Sequence, residues 1–352
     1  MSLRFTRGFA SKARTWGVWS EFQSRSSSLK IPNEKIRSDL FNGISPEEGP
    51  NSYNVPTHRK TYHSPLLIDP TFQQAYDILE NEAESIHKEA KANESEDLLV
   101  KAELKNPEVL HNFNTGKADL SLPVYRHLAE EKWKSHDLMV TMQRLESLHV
   151  IPDTLPTLDP KVDVKVRFGH NTRSEFIGDI EPGTILPAFA VSIPPTIEVQ
   201  EFNSSDYDLG LYTAVLVNPD TPDLEKNSFK TTLNYGLHNV PLTYTDNKIS
   251  PAKLMSNPEF IFQQYTPLLP EKNAQTQRAC LWVFRQSKEL KDLSFDAENF
   301  NIREFAESNG LTAVGAHVWR QAFDRSVNET RTKYGLPSGR VFKRVRGTKP
   351  LV

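Results

Sequence analysis

The chain has 352 residues, 37% of them hydrophobic and a quarter charged, with 24 prolines, which suits one compact core with extended, proline-punctuated arms. Cys280 is the only cysteine, so internal disulfides and Cys-rich zinc sites are excluded, and no apolar run approaches the length of a membrane-spanning helix. The net charge of −3 hides a division: residues 1–30 carry six Lys/Arg against Glu21, residues 331–352 carry seven and no acid, and the body from 31 to 330 is left with 29 basic against 44 acidic residues, or −15.

Residues 1–20 combine Arg4, Arg7, Lys12 and Arg14 with Leu3, Phe5, Phe9, Trp16 and Trp19 and contain no acid; a serine-rich patch, Ser24 to Ser28, follows. Arginine-rich, serine-rich, acid-poor and amphipathic describes a mitochondrial transit peptide, expected here over residues 1–30. The competing account is a basic arm that stays on the protein and contacts a polyanion. Residues 31–68 are rich in Pro, Ser and Asn without periodicity and read as an extended segment.

A helical arm is expected over 69–155. Asp69-Pro70 supplies an N-cap and a first-turn proline, and Phe72, Ala75, Tyr76, Leu79, Ala83, Ile86 and Ala90 trace one face at helical spacing. A second helix is expected from Ser121-Leu122-Pro123 to just before Pro152, with Leu138, Met142, Leu145 and Leu148 on one side. Both helices can pack on the following domain or on each other, or dock on partner proteins.

From Val162 the pattern changes to strands. Val162 to Phe168 alternates apolar and polar, Pro182-Gly183 marks a turn, and Ile197-Glu198-Val199 is a further short strand. Tyr212 to Val217 is an apolar β-rich run, expected to turn at Asn218-Pro219-Asp220-Thr221-Pro222. Another β-leaning run follows, Leu233 to Pro241, and then a continuously apolar strand, Cys280 to Phe284, whose thiol reads as buried and inert. Phe300 to Leu311 is helical in pattern.

These blocks resemble, in order, the signature of the phosphatidylethanolamine-binding protein (PEBP) family: a strand, Asp-Pro-Asp-Ala-Pro, then a strand bearing His and ending in Asn-Ile-Pro. Tyr265 to Gln286 resembles the family's Tyr…Pro-Pro…His-Arg-Tyr strand, with Tyr265, Pro270 and Arg278 in the relative places of its Tyr, first Pro and Arg. Phe300 to Glu307 resembles its Phe-x-x-x-x-Phe-Ala helix, and Phe323-Asp324 stands where the family has Trp-Asp. The resemblance covers roughly residues 162–328. It implies a mixed, mainly β fold: a PEBP-like antiparallel β-sandwich with peripheral helices over 156–330, preceded by the helical arm and followed by a basic tail, 331–352.

The family pocket binds anions with an Asp and two His. Here those places hold Asn218, Asn234 and Gln277, while Asp220 keeps the second acid of the motif and Glu271 replaces the second Pro. Amides still donate but bring no charge, and Asp220 and Glu271 are expected to oppose an anion. Asn218, Asp220, Asn234, Pro270 and Gln277 therefore form an altered ligand pocket, in which a residual polar cavity stays open as an alternative. No catalytic grouping emerges. A Gly-x-Ser-x-Gly elbow, a Walker motif and Gly-x-Gly-x-x-Gly are absent, and His87, His127 and His136 lie in expected helices without a His or Cys at i+4.

In the tail, Arg331, Lys333, Arg340, Lys343, Arg344, Arg346 and Lys349 alternate with Tyr334 and Phe342, as in segments that place cations on phosphates and aromatics on bases. A merely solvated charge run is the competing account. A mitochondrial address, a helical arm, a PEBP-like domain with an altered pocket and a basic tail together resemble the PEBP-like group of the mitochondrial large ribosomal subunit, fungal type. That resemblance implies a structural constituent of the central protuberance in the matrix, supporting mitochondrial translation. Its expected partners are ribosomal RNA and neighbouring large-subunit proteins. No catalysis, cofactor, metal, small-molecule substrate or membrane span is expected. The alternative is a mitochondrial PEBP-type small-ligand or regulatory binding protein, which requires a working pocket.

Overall fold

A computed structural model describes residues 68–93, 95–169, 178–202, 210–291 and 293–343. The expected transit peptide, the stretch before Ile68, and Arg344, Arg346 and Lys349 lie outside these residues. Two compact units divide the chain between Leu128 and Ala129.

The described part of the first unit is helical. α1 (Ile68–Asn93) starts beside the expected cap, and Ala83 and Ala90 of the expected face are buried, although Ala75 is exposed. His87 is buried on the same face, its Nε2 lying 3.1 Å from Glu103 Oε1, while Asn106 Nδ2 donates to the other carboxylate oxygen at 3.2 Å. A carboxylate out of water is tolerable only with such partners. Glu103 ends α2 (Glu96–Glu103), and α3 (Pro107–Asn114) follows. Neither short helix was expected, because eight residues hold too few turns to declare a period. Val109 of α3 packs with Val124 and Tyr125 at the start of α4 (Pro123–Lys132).

The long second helix expected from 121 to 152 is corrected to a series of segments. After α4 the backbone widens into a π turn, Trp133–Asp137, then resumes as α5 (Leu138–Ser147). The buried Trp133 stacks on Phe202 with ring centroids 5.3 Å apart. His149, with φ of 53°, turns the corner into the single turn α6 (Val150–Asp153). Of the expected face, Leu145 is fully buried, with Met142 and Leu148 partly so, all against the sheet described next. The expected arm is thus divided: its last part is packed on the strands that follow.

Those strands form two sheets. β1 (Val162–Arg167) pairs antiparallel with β3 (Thr196–Glu201), which pairs with β6 (Lys248–Ile249). The larger sheet has the order β2 (Ile185–Leu186), β9 (Leu311–Gln321), β8 (Gln277–Gln286), β4 (Leu211–Asp223), β5 (Ser228–Pro241), β7 (Ile261–Gln263). All its pairings are antiparallel except β2 with β9. Because side chains alternate across a strand, β4 and β8 feed two cores. Ala214, Leu216, Leu281 and Val283 meet Val164, Val166 and Ile197 of the small sheet. Val215, Val217, Cys280, Trp282 and Phe284 meet Leu145, Phe300 and Phe305 on the opposite face. Burial pushes the Cys280 thiol up, as an inert thiol requires.

The expected turn at Asn218–Pro222 is corrected as well. β4 runs through it to Asp223, and the hairpin turns at residues 224–227, where the Asp223 carboxylate accepts from Glu225 and Lys226 N–H. A register shift between Asn218 and Thr221 absorbs Pro219, which has no N–H for the ladder. Gly315 of β9 allows the two sheets to close, since a Cβ there would lie 2.6 Å from Val164 Cγ2. The expected Phe300–Leu311 helix is α8 (Ile302–Asn309), following α7 (Pro251–Ser256). It is capped by Asn301, whose Oδ1 accepts from Arg303 and Glu304 N–H, and is stopped by Gly310 at φ 62°. α9 (Val327–Lys333) completes the fold.

On the inward side of β9, His317 is buried with Nε2 2.9 Å from the Ile180 carbonyl oxygen, and burial lowers its pKa to about 4. The unfolded chain takes up this proton near 6.5, so stability is full above that pH and declines as pH falls from 6.5 to about 4. His317→Gln is expected to remove up to roughly 1.4 kcal/mol per pH unit of that slope, measured as urea midpoints across this interval.

Candidate functional site

Of the residues expected to form an altered pocket, Asn218 and Gln277 meet directly. Asn218 Nδ2 donates to Gln277 Oε1 at 3.2 Å, and Asn218 Oδ1 accepts from the Asp220 N–H at 2.9 Å. Asn234, on the neighbouring strand, donates from Nδ2 to the Thr266 carbonyl at 2.9 Å and accepts from the Thr232 hydroxyl at 3.2 Å. Thr232 in turn lies 3.0 Å from the Thr221 hydroxyl. All three amides are less than a tenth exposed. Each is engaged with another part of the protein, so an anion entering here would have to break existing hydrogen bonds and would find no cation in return. Pro270 is buried four residues beyond Thr266.

Asp220 does not oppose an anion as expected. Arg278 follows Gln277 on β8, and adjacent residues of a strand face opposite ways. Asp220 accepts from the Arg278 backbone N–H at 2.8 Å, from Nε at 2.9 Å and from Nη2 at 2.6 Å. The same guanidinium uses Nη1 on the carbonyls of Leu148 (2.7 Å) and His149 (3.0 Å) and on the Asp153 carboxylate (2.8 Å). Asp220 is therefore the anchor of an arginine clamp that holds the α5–α6 corner on the sheet, and its hydrogen bonds raise the Arg278 pKa further above the usual arginine range. In the sequence Arg278 was legible only as an aligned position; nothing there pointed to the corner it grips.

The other places that carry the family resemblance are also structural. Asn239, at φ 51°, donates from Nδ2 to the Leu290 carbonyl and accepts from Leu290 N–H and Gln286 Nε2. Tyr265 donates its buried hydroxyl to the Val191 carbonyl at 2.8 Å. Asp324 accepts from Ala188, Ser326 and Val327 N–H.

The basic candidates separate into groups. Arg331 is corrected to a largely internal role. Its Nη1 and Nη2 donate to the carbonyls of Pro337 (3.0 Å) and Leu269 (2.9 Å), leaving its side chain 14% exposed. Lys333 is exposed and donates to the Ser192 carbonyl at 3.0 Å. Arg340 and Lys343 are exposed. The stretch around them is folded back: Arg340 N–H donates to Glu271, Phe342 N–H to the Lys272 carbonyl, and Asn273 Nδ2 to the Phe342 carbonyl. Among the described residues no group of three or more His, Cys, Asp or Glu could hold a metal, and no helix is long and apolar enough to cross a membrane.

Residues 177–320 match the family model of the phosphatidylethanolamine-binding protein. The chain is 26% identical over 311 residues to the large ribosomal subunit protein mL38 of Schizosaccharomyces pombe (strain 972 / ATCC 24843), a span of 84% of this chain and 96% of that one. Among solved structures, carboxypeptidase Y inhibitor in complex with its cognate proteinase is 14% identical, with a TM-score of 0.42 and 54% and 99% of the two chains covered. The phosphatidylethanolamine-binding protein from Plasmodium vivax is 15% identical, with a TM-score of 0.37 and 52% and 98% covered.

Two outcomes are expected of the site. Arg278→Ala lowers the urea-unfolding stability of the full chain by about 2–3 kcal/mol, and Arg278→Lys recovers only part, because an ammonium cannot fork to carboxylate and carbonyls together. Phosphoethanolamine titrated into the purified chain gives no saturable heat in a calorimeter; micromolar binding would mean that the amide network opens.

Proposed function

We propose that this chain, which carries a PEBP-like fold, is a structural constituent of the mitochondrial large ribosomal subunit in the matrix, binding ribosomal RNA and neighbouring subunit proteins, with a place in the central protuberance. The observation that carries this reading is the similarity to a large-subunit ribosomal protein over nearly the whole length of that relative. It reaches well beyond the matched family domain, into the helices before it.

The site geometry supports the same reading. The pocket positions are occupied by amides whose donors and acceptors are satisfied within the protein, so the fold is retained while the ligand chemistry is not. Charge supports it too. An acidic body approaches a polyanion only through a concentrated basic segment, and the chain carries one at residues 331–352. Its role is thus non-catalytic, and it supports mitochondrial translation by assembly.

Sedimentation of the tagged chain from detergent-lysed mitochondria on sucrose gradients tests this. Co-migration with the large subunit, retained when EDTA separates the subunits and when salt is moderately raised, is the expected result. Migration as a free protein would sink the reading.

A further inference from the structure

Where the tail folds back on the segment after Pro270 it borders an open cavity of about 280 Å³. The fold-back is held by specific bonds: a bridge pairs Lys272 with Val341, and Glu271 and Asn273 hold Arg340 and Phe342. Its walls combine three chemistries. Phe323, Val327 and Leu336 are apolar; Asn328, Thr332 and Ser338 offer an amide and hydroxyls; Lys272 and Arg340 are exposed cations at its margin. The one carboxylate among the lining residues, Glu271, accepts from Arg340 N–H and lies 3.9 Å from Arg331, which leaves the margin cationic. Arg331 Nε, buried in the wall, has no hydrogen-bond partner among the described residues.

We infer that this cavity receives one unstacked nucleotide of RNA, an assignment that rests on the ribosomal reading above. An aromatic and aliphatic wall with a few amide and hydroxyl groups is what recognises a splayed base, and cations at the rim meet its phosphates. The volume admits a base and excludes a helix or a duplex. Directly after Lys343 the sequence continues with Arg344, Arg346 and Lys349 and no acid, residue types that contact phosphates.

The test is ultraviolet crosslinking of intact large subunits purified through the tagged chain, followed by digestion and mass spectrometry. A nucleotide adduct on the peptides spanning Phe323 to Val341 is expected. Adducts confined to other peptides overturn the cavity assignment and leave the ribosomal reading standing; failure of the chain to purify with the subunit overturns both. In a second arm, the full chain binds short single-stranded RNA, and Thr332→Trp, at an exposed position on the cavity wall, weakens binding about tenfold, the loss of one stacked base. Arg340→Ala lowers the salt slope by about one. Unchanged affinity of Thr332→Trp, with an unchanged melting temperature, overturns the assignment.

Discussion

One guanidinium decides how this domain is assembled. Arg278 lies at the start of β8 and binds a carboxylate on β4, two carbonyls at the end of α5 and a second carboxylate on α6. Carbonyls at a helix C-terminus lack intrahelical partners and carry partial negative charge, so a cation there answers two needs together. Desolvating a charge is costly, and the pair with Asp220 alone would offset little of that. The fork-shaped donor set makes the difference, because one side chain satisfies acceptors from three elements. Arg303 reinforces the same corner through the Thr154 and Pro152 carbonyls, and Trp282 Nε1 donates to the Thr154 hydroxyl from within the sheet. With the corner fixed, Leu145 and Val150 are held over Trp282 and Phe284, and the outer core closes.

The clamp also explains why the pocket positions could change. Gln277 and Arg278 are adjacent, yet they serve opposite faces of β8, so the chemistry of one face can be altered without disturbing the grip on the other. The positions where the chain keeps the family pattern, Asp220, Asn239, Tyr265, Arg278 and Asp324, each hold backbone or join elements. The positions where it departs, Asn218, Asn234 and Gln277, are those whose charge would matter to an anion and not to the fold. Amides there give a network that is neutral, satisfied and mutually supporting. A buried polar cluster of that kind adds definition to a core without needing a ligand.

Much of the fold was legible because strong periodicities survive burial. The alternation from Val162 to Arg167 became β1, the apolar run around Cys280 became a central strand, and Asn301 and Gly310 bracket the helix that the Phe300 pattern announces. What escaped depends on distance or on shortness. The hairpin was read at Asn218–Pro222 because Pro and Asn usually end strands, whereas a bulge lets β4 continue past Pro219. The π turn at Trp133 leaves no mark in a 3.6-residue pattern, and α2 and α3 are too short to show one. For the site, residue identities gave the loss of charge correctly. They could not give Asp220 its true partner, since local sequence does not tell which side of the sheet a carboxylate will serve. Arg331 was counted among free cations for the same reason: its acceptors, Leu269 and Pro337, belong to a fold-back that no local pattern encodes.

Glu271 is where the departure from the family pattern has a positive use. A proline there could accept only through its carbonyl and could not carry charge. Glutamate accepts from the Arg340 backbone and sits near the Arg331 guanidinium, so the segment after α9 is drawn against the domain. Val341 is thereby paired with Lys272, so residues 334–343 do not trail from the end of the helix. For an acidic body that geometry matters. Beyond about 10 Å its negative field is largely screened at moderate salt, and within that range it repels a phosphate backbone. The exposed Lys272 and Arg340 are held at one margin of the domain. Glu271, where the family it resembles has proline, thus joins Lys272 and Asn273 in holding the segment after α9 against the domain.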